Sequence, residues 1–286
     1  MNTSLARDVR FLDRSEGRIA YTVDGAGPLV IAVPGMGDLR SSYRELVGPL
    51  VDAGFRVAVM DLRGHGQSDT TFHNYGDIAI GEDILALIDT LGGPAAVLGN
   101  SIGAAAATWA AAERQGAIAG LVLYGPLLRE PKLSAFSTAA LRMLYRLVLA
   151  RPWGAKFWKG YYRSINKGVR APWLDEHLTS IEHSLAEPGR LRSLRELALQ
   201  LDHSVVEPRL GEVTAPIRAF VGALDPDYPN PQAECEWIAS LGARVELIPD
   251  SGHYPHAQRP EIVVPATLEF LGALRDDATG EWTHRA

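Results

Sequence analysis

Apolar residues in this chain recur with two periods. Short runs with strand character lie at Val9 to Leu12, Ile19 to Val23, Leu29 to Val33, Val57 to Met60, Ala95 to Leu98, Leu121 to Tyr124, Ile217 to Val221 and Val245 to Ile248. Most from Leu29 onward are almost unbroken apolar runs, the pattern of parallel strands covered on both faces. Helical spacing fills the intervals. Ser42-x-x-Glu45 reads as a capping box ahead of Leu46, Leu50 and Val51, with Gly54 as the stop. Ile80, Ile84, Leu87, Ile88 and Leu91 share one helical face, which Gly92 ends. Strands alternating with helices after a two-strand opening predict an α/β fold, a doubly wound and mostly parallel eight-stranded sheet.

The interval from Tyr124 to Ile217 is far too long for one crossover. Within it Leu141, Leu144, Tyr145 and Val148 make one helical face, and Leu191, Leu194, Leu197, Ala198 and Leu201 another. The expected organisation is a discontinuous core of residues 1–126 and 209–286 with a helical cap, 127–208, inserted after the sixth strand. Pro265 predicts a kink or a late start in the last helix if that helix begins near Pro260. The tail from Asp276 to Ala286 lacks periodicity and is expected to be loosely held.

Composition narrows the class. The 286 residues are 47% hydrophobic and 22% charged, with no uninterrupted apolar stretch long enough for a membrane span. Met1 to Arg14 carries charges and no apolar segment of a secretory signal, and Cys235 is the one cysteine, so a reducing cytoplasm is expected. A net charge of -6 argues against nucleic acid as a partner. A small-molecule substrate, no stable membrane insertion and a monomer or homodimer are the expectations. From Pro131 to Arg170 there are nine basic residues and no acid. Aromatic residues (Trp153, Trp158, Tyr161, Tyr162, Trp173) interleave with them. This segment reads either as a solvated basic face or as a channel for an apolar substrate with an anionic end, or a weak membrane-facing lid.

Candidate chemistry centres on Gly99-Asn100-Ser101-Ile102-Gly103, between the run Ala95 to Leu98 and the alanine-rich stretch after Gly103. With 28 glycines in the chain, G-x-S-x-G alone is weak, but its place at a strand-to-helix junction strengthens it. Small residues two positions either side let strand and helix pass, and the Ile102 N–H at the helix start points where an oxyanion forms. A serine needs a base and an orienting acid. Gly222-Ala223-Leu224-Asp225 and Gly252-His253 follow late strands in the required order, and loops at the C-terminal ends of parallel strands converge.

These motifs, with Asp61-Leu62-Arg63-Gly64-His65-Gly66-Gln67-Ser68 after the fourth strand, resemble the α/β-hydrolase fold superfamily over roughly residues 7 to 272. The resemblance implies Ser101 as nucleophile, His253 as base and Asp225 as acid. It also implies Met36 as the second oxyanion donor, although Pro34-Gly35 stands where many relatives have His-Gly. Gly35, Asn100, Trp158 and Tyr254 are the candidate substrate contacts. Asp227 is a rival acid, and Glu130 lies too far along to serve. His256 reads as a rim residue, His65 as a turn shaper, and His177, His183 and His203 as surface or satisfied core side chains. No cofactor and no metal are implied.

A serine hydrolase acting on a carboxylic ester or lactone is the resulting expectation. Asn100 before the serine is also similar to carbon–carbon bond hydrolases of ring-cleavage diketo acids. Those carry Ser-Gly-Pro-Gly at the oxyanion turn and Trp after the histidine, where this chain has Pro34-Gly35-Met36-Gly37 and Tyr254. A cofactor-free perhydrolase or a non-turnover ligand sensor are further alternatives on the same fold.

Overall fold

The computed structural model describes residues 8–130, 134–276, 279 and 281–283. Arg7, Lys132 and the remaining tail residues lie outside that description. The chain runs β1 (Arg10–Arg14), β2 (Gly17–Asp24), β3 (Leu29–Val33), α1 (Arg44–Asp52), β4 (Arg56–Met60), α2 (Asp77–Leu91), β5 (Ala95–Asn100), α3 (Ile102–Glu113) and β6 (Ile118–Tyr124). Four helices follow: α4 (Ala135–Val148), α5 (Gly154–Ile165), α6 (Leu174–Ala186) and α7 (Arg190–Gln200). The chain then completes the sheet with β7 (Ile217–Gly222), α8 (Pro231–Ser240), β8 (Arg244–Ile248), α9 (Pro255–Gln258) and α10 (Pro260–Gly272).

All eight expected strands form one sheet in the order β1-β2-β4-β3-β5-β6-β7-β8. β1 and β2 pair antiparallel, as do β2 and β4, and every later pairing is parallel. The central strands β3 and β5 are buried at every position, which is why they read as unbroken apolar runs, whereas edge strands β1 and β8 are largely open. One apolar cluster, with Ile31, Val97 and Leu121, covers one sheet face, and a second, with Val30, Leu98 and Val122, covers the other. A third, built around Trp158, Leu178 and Leu194, joins the four inserted helices to Tyr254 and Ala257.

Four local expectations change. Ser42 does not cap α1: its hydroxyl donates to the Leu39 carbonyl at 2.9 Å, the N-cap is Tyr43, and the Glu45 carboxylate accepts from Trp173 Nε1 at 2.7 Å. A tertiary partner takes the side chain that a capping box needs. α10 has no late start: it begins at Pro260 and runs through Pro265, whose missing N–H removes the bond to the Glu261 carbonyl in the opening turns. The described part of the tail is anchored as well. Trp282 is buried, stacks on Phe55 at 5.6 Å and donates from Nε1 to the Leu29 carbonyl at 3.2 Å. In α4, Leu144 leaves the face of Leu141 and Tyr145 and is exposed, with Phe136, Met143 and Leu147.

Candidate active site

β5 ends in the turn that carries Ser101. Ser101 has φ 55° and ψ -121°, one of two non-glycine residues with positive φ among the described residues. A β-carbon on Gly99 would lie 2.5 Å from the Gly103 carbonyl oxygen, and one on Gly103 2.4 Å from that of Val33. Strand, turn and helix approach so closely that only glycine fits at both positions, and the strained serine stays on the open side. Its N–H is bonded to the Tyr124 carbonyl at 3.0 Å.

The loops after β7 and β8 supply the other two groups. His253 is buried, and its Nδ1 lies 2.8 Å from Asp225 Oδ2 and 3.5 Å from Asp227 Oδ2. Asp225 Oδ1 accepts the Asp227 N–H at 3.0 Å, so Asp225 orients the ring and Asp227 stands behind it. Burial opposes charge on the ring, but the carboxylates of Asp225 and Asp227 outweigh it and raise the His253 pKa to about 9. Burial pushes the Asp227 carboxyl above its ordinary value. The ligand atoms of Asp225, Asp227 and His253 lie within 4.8 Å of one another, close enough to share a cation, but His253 Nδ1 and Asp225 are already hydrogen-bonded to each other.

Ser101 and His253 open onto one cavity of about 720 Å³, whose wall also includes Met36, Ile102, Trp158 and Tyr254. Among the described residues no hydrogen bond joins the Ser101 hydroxyl to His253, a looseness that substrate binding commonly removes. Residues 30–266 match the model of the alpha/beta hydrolase family. The chain belongs to that family.

Among α/β-hydrolases it is similar to 2-hydroxy-6-oxo-6-phenylhexa-2,4-dienoate hydrolase of Comamonas testosteroni, with 26% identity over 94% of this chain and 96% of the relative. It is also similar to human monoglyceride lipase, 34% identical over 82% of this chain and 78% of the lipase. In fold it resembles a thermophilic esterase from Thermogutta terrifontis, with a TM-score of 0.76 and 23% identity over 93% of this chain and 98% of the esterase. No helix among the described residues is long and apolar enough to cross a membrane.

Two candidate contacts of this α/β-hydrolase are not on the cavity wall. Asn100 is fully buried and donates from Nδ2 to the carbonyls of Tyr124, at 2.9 Å, and His253, at 3.2 Å, so it holds the histidine loop against β6. Gly35 lies beneath it, where a β-carbon would meet Asn100 Oδ1 at 2.8 Å. His256 is not at the rim but in the core, packed against Tyr43 and Tyr124, and burial lowers its pKa to about 3. His65 shapes its turn, with Nδ1 2.7 Å from the Arg63 carbonyl oxygen.

A buried network beside the turn that carries Met36 has no local signature. Asp38 accepts from Tyr162 Oη at 3.1 Å, pairs with His177 Nε2 at 2.7 Å and accepts the Leu39 N–H at 2.7 Å. Trp158 Nε1 donates to the Gly37 carbonyl at 3.0 Å. α5 and α6 thus grip the turn that carries Met36. Their residues lie more than a hundred positions from Asp38 in sequence, and only the run of aromatic residues hinted at the contact.

Proposed function

We propose that this α/β-hydrolase cleaves a carboxylic ester or lactone in two steps through an acyl-enzyme on Ser101. One observation carries the reading. A serine at φ 55° opens onto the same cavity as a histidine whose Nδ1 is 2.8 Å from a buried aspartate. In the proposed reaction His253 Nε2 takes the Ser101 proton as Oγ attacks the carbonyl carbon. The Met36 and Ile102 N–H groups stabilise the oxyanion, and the imidazolium returns its proton to the leaving alkoxide. Water, deprotonated by the same ring, then releases the acid. Residues 127–208 act as a cap over this cavity and set substrate choice, with 1–126 and 209–286 as the core.

Similarity to the dienoate hydrolase favours carbon–carbon cleavage as the second reading. The charge of the cavity wall weighs against it: Glu130, Glu207, Asp227 and Glu234 face a single guanidinium, Arg129, which is already paired with Glu234. His203 and His253 offset part of that acidity, but with its one guanidinium already taken the wall favours a neutral ester over an anionic diketo acid. The test is a ladder of p-nitrophenyl esters from acetate to decanoate, with turnover by Ser101→Ala subtracted. Serine-dependent turnover with a chain-length optimum is expected, and Ser101→Ala should lower kcat by about four to six orders of magnitude. Loss of a vinylogous diketo acid's ultraviolet band, with no turnover on the ladder, would transfer the assignment to carbon–carbon cleavage.

A further inference from the structure

The cavity wall holds a second Asp–His pair that the proposed reaction does not use. His203 opens a short 3-10 turn, His203–Val205, just after α7. Its Nδ1 lies 3.0 Å from Asp77 Oδ1, on the first residue of α2, and its backbone N–H donates to Glu130 Oε2 at 2.9 Å. The residue is only 2% exposed, yet it lines the cavity shared with Ser101.

A latch between α7 and α2 accounts for Nδ1 but not for the opposite side of the ring, where Nε2 has no protein partner. A buried polar nitrogen without a partner is costly enough that its position calls for a reason. The rings of His65 and His256 also contain unpartnered nitrogens, but neither lines the cavity. His203 does.

The surroundings select the ligand. Burial lowers the basicity of the His203 ring, but Asp77, Glu130 and Asp202 more than offset this, so the ring holds a proton more firmly than free histidine. Glu130 and Glu207, also on the wall, are acceptors and repel anions. Arg129 offers no free charge, being bonded to Glu234 and stacked 4.0 Å over Trp237. A hydroxyl suits Nε2 in either state, accepting from Nε2–H or donating to the bare nitrogen, and its other valence can reach a carboxylate. We propose that His203, oriented by Asp77, is a specificity-determining residue that binds an uncharged hydroxyl group of the substrate in the cavity shared with Ser101. The inference rests on the ester-hydrolase reading for what the bound molecule is.

The experiment uses matched esters with and without a hydroxyl. p-Nitrophenyl 6-hydroxyhexanoate against the hexanoate probes the acyl side, and 3-hydroxypropyl against propyl butyrate probes the alcohol side. The wild type should prefer the hydroxylated member of at least one pair by roughly tenfold in kcat/KM, the worth of one buried hydrogen bond. His203→Phe should abolish that ratio, and His203→Gln, which keeps an N–H donor, should restore part of it. A second readout needs no turnover. The His203 imidazole resonance in 15N-histidine-labelled Ser101→Ala protein should shift with 6-hydroxyhexanamide and not with hexanamide. If no ester is hydrolysed, the functional reading fails while the imidazole signal still decides this one. Wild-type ratios near one in both pairs, an unmoved resonance, or a preference that survives in folded His203→Phe would each overturn the inference. If His203→Phe does not fold, the wild-type ratios and the resonance decide.

Discussion

Tyr162→Phe removes one oxygen from the grip on the turn that carries Met36, and with it that oxygen's interaction with Tyr254. The hydroxyl is buried, its pKa is held well above the ordinary tyrosine value by burial and the nearby Asp38 charge, and it donates to Asp38 Oδ2 at 3.1 Å. A hydrogen bond to a charged acceptor contributes about 1.5–3 kcal/mol, and the ring that remains leaves no cavity. At about 2 °C per kcal/mol for a chain of this size, the melting temperature should fall by about 3–6 °C. The same change loosens the turn that carries Met36. Complete loss of an oxyanion donor costs about 10²–10³ in kcat, so a partial displacement should lower kcat by roughly tenfold. Calorimetry and ester hydrolysis read the two effects. Lys159→Ala is the control within α5, because the Lys159–Glu182 pair is part-exposed and worth at most about 1 kcal/mol. A Tyr162→Phe protein that melts and turns over like wild type, or a control that falls as far, refutes the assignment of the grip to Asp38.

His177→Ala takes the second partner from buried Asp38 and should cost more, about 3–5 kcal/mol, read as a larger fall in denaturant midpoint. The pH–rate profile tests the base: His253 must be neutral to accept a proton, so log(kcat/KM) should rise with unit slope and level off near pH 9. Asp227→Asn should move that limb to lower pH, and a wild-type limb at the ordinary histidine value would show that the two carboxylates do not govern the ring. Because the folded pKa is raised, the stabilisation from His253 is complete below the unfolded value of 6.5 and is lost as pH rises through about 9. Its contribution to the melting temperature should decline across that interval, and less so in Asp227→Asn. Trp282→Ala should cost about 3–5 kcal/mol in calorimetry, with kcat on the preferred ester unchanged.

What could be read from sequence was whatever repeats or stands in a short motif. β3 and β5 announce themselves because both faces are covered, and the elbow does so because Gly99 and Gly103 are required by backbone approach within five residues. Asp225 and His253 were legible through strand order. The pairs Asp38–His177 and Asp77–His203 were not, since a lone histidine in a helical segment looks the same whether its partner is solvent or a carboxylate 139 or 126 residues away. The Trp282 side chain and a few backbone bonds, such as that from the Thr283 N–H to the Leu274 carbonyl, anchor the tail, and neither leaves a period to detect. The capping box failed for the opposite reason: its local signal was present, and Trp173 from a distant loop took Glu45.

The fastening of α5, α6 and the loop between them to both halves of the site bears on how this enzyme's selectivity can be altered. Trp158 and His177 hold the turn at Gly37 and Asp38, while the Ile165 carbonyl accepts the His253 N–H and Gln258 Nε2 donates to the carbonyls of Lys167 and Val169. Exchanging residues 127–208 as a block would therefore replace the supports of the Met36 turn and the His253 loop along with part of the cavity wall. α4 and the turn at His203 also face the cavity, through Leu141, Tyr145 and His203, and make no hydrogen bond to the catalytic loops among the described residues. The useful crossover points for recombination lie inside the inserted segment, on either side of α4, and not at its ends.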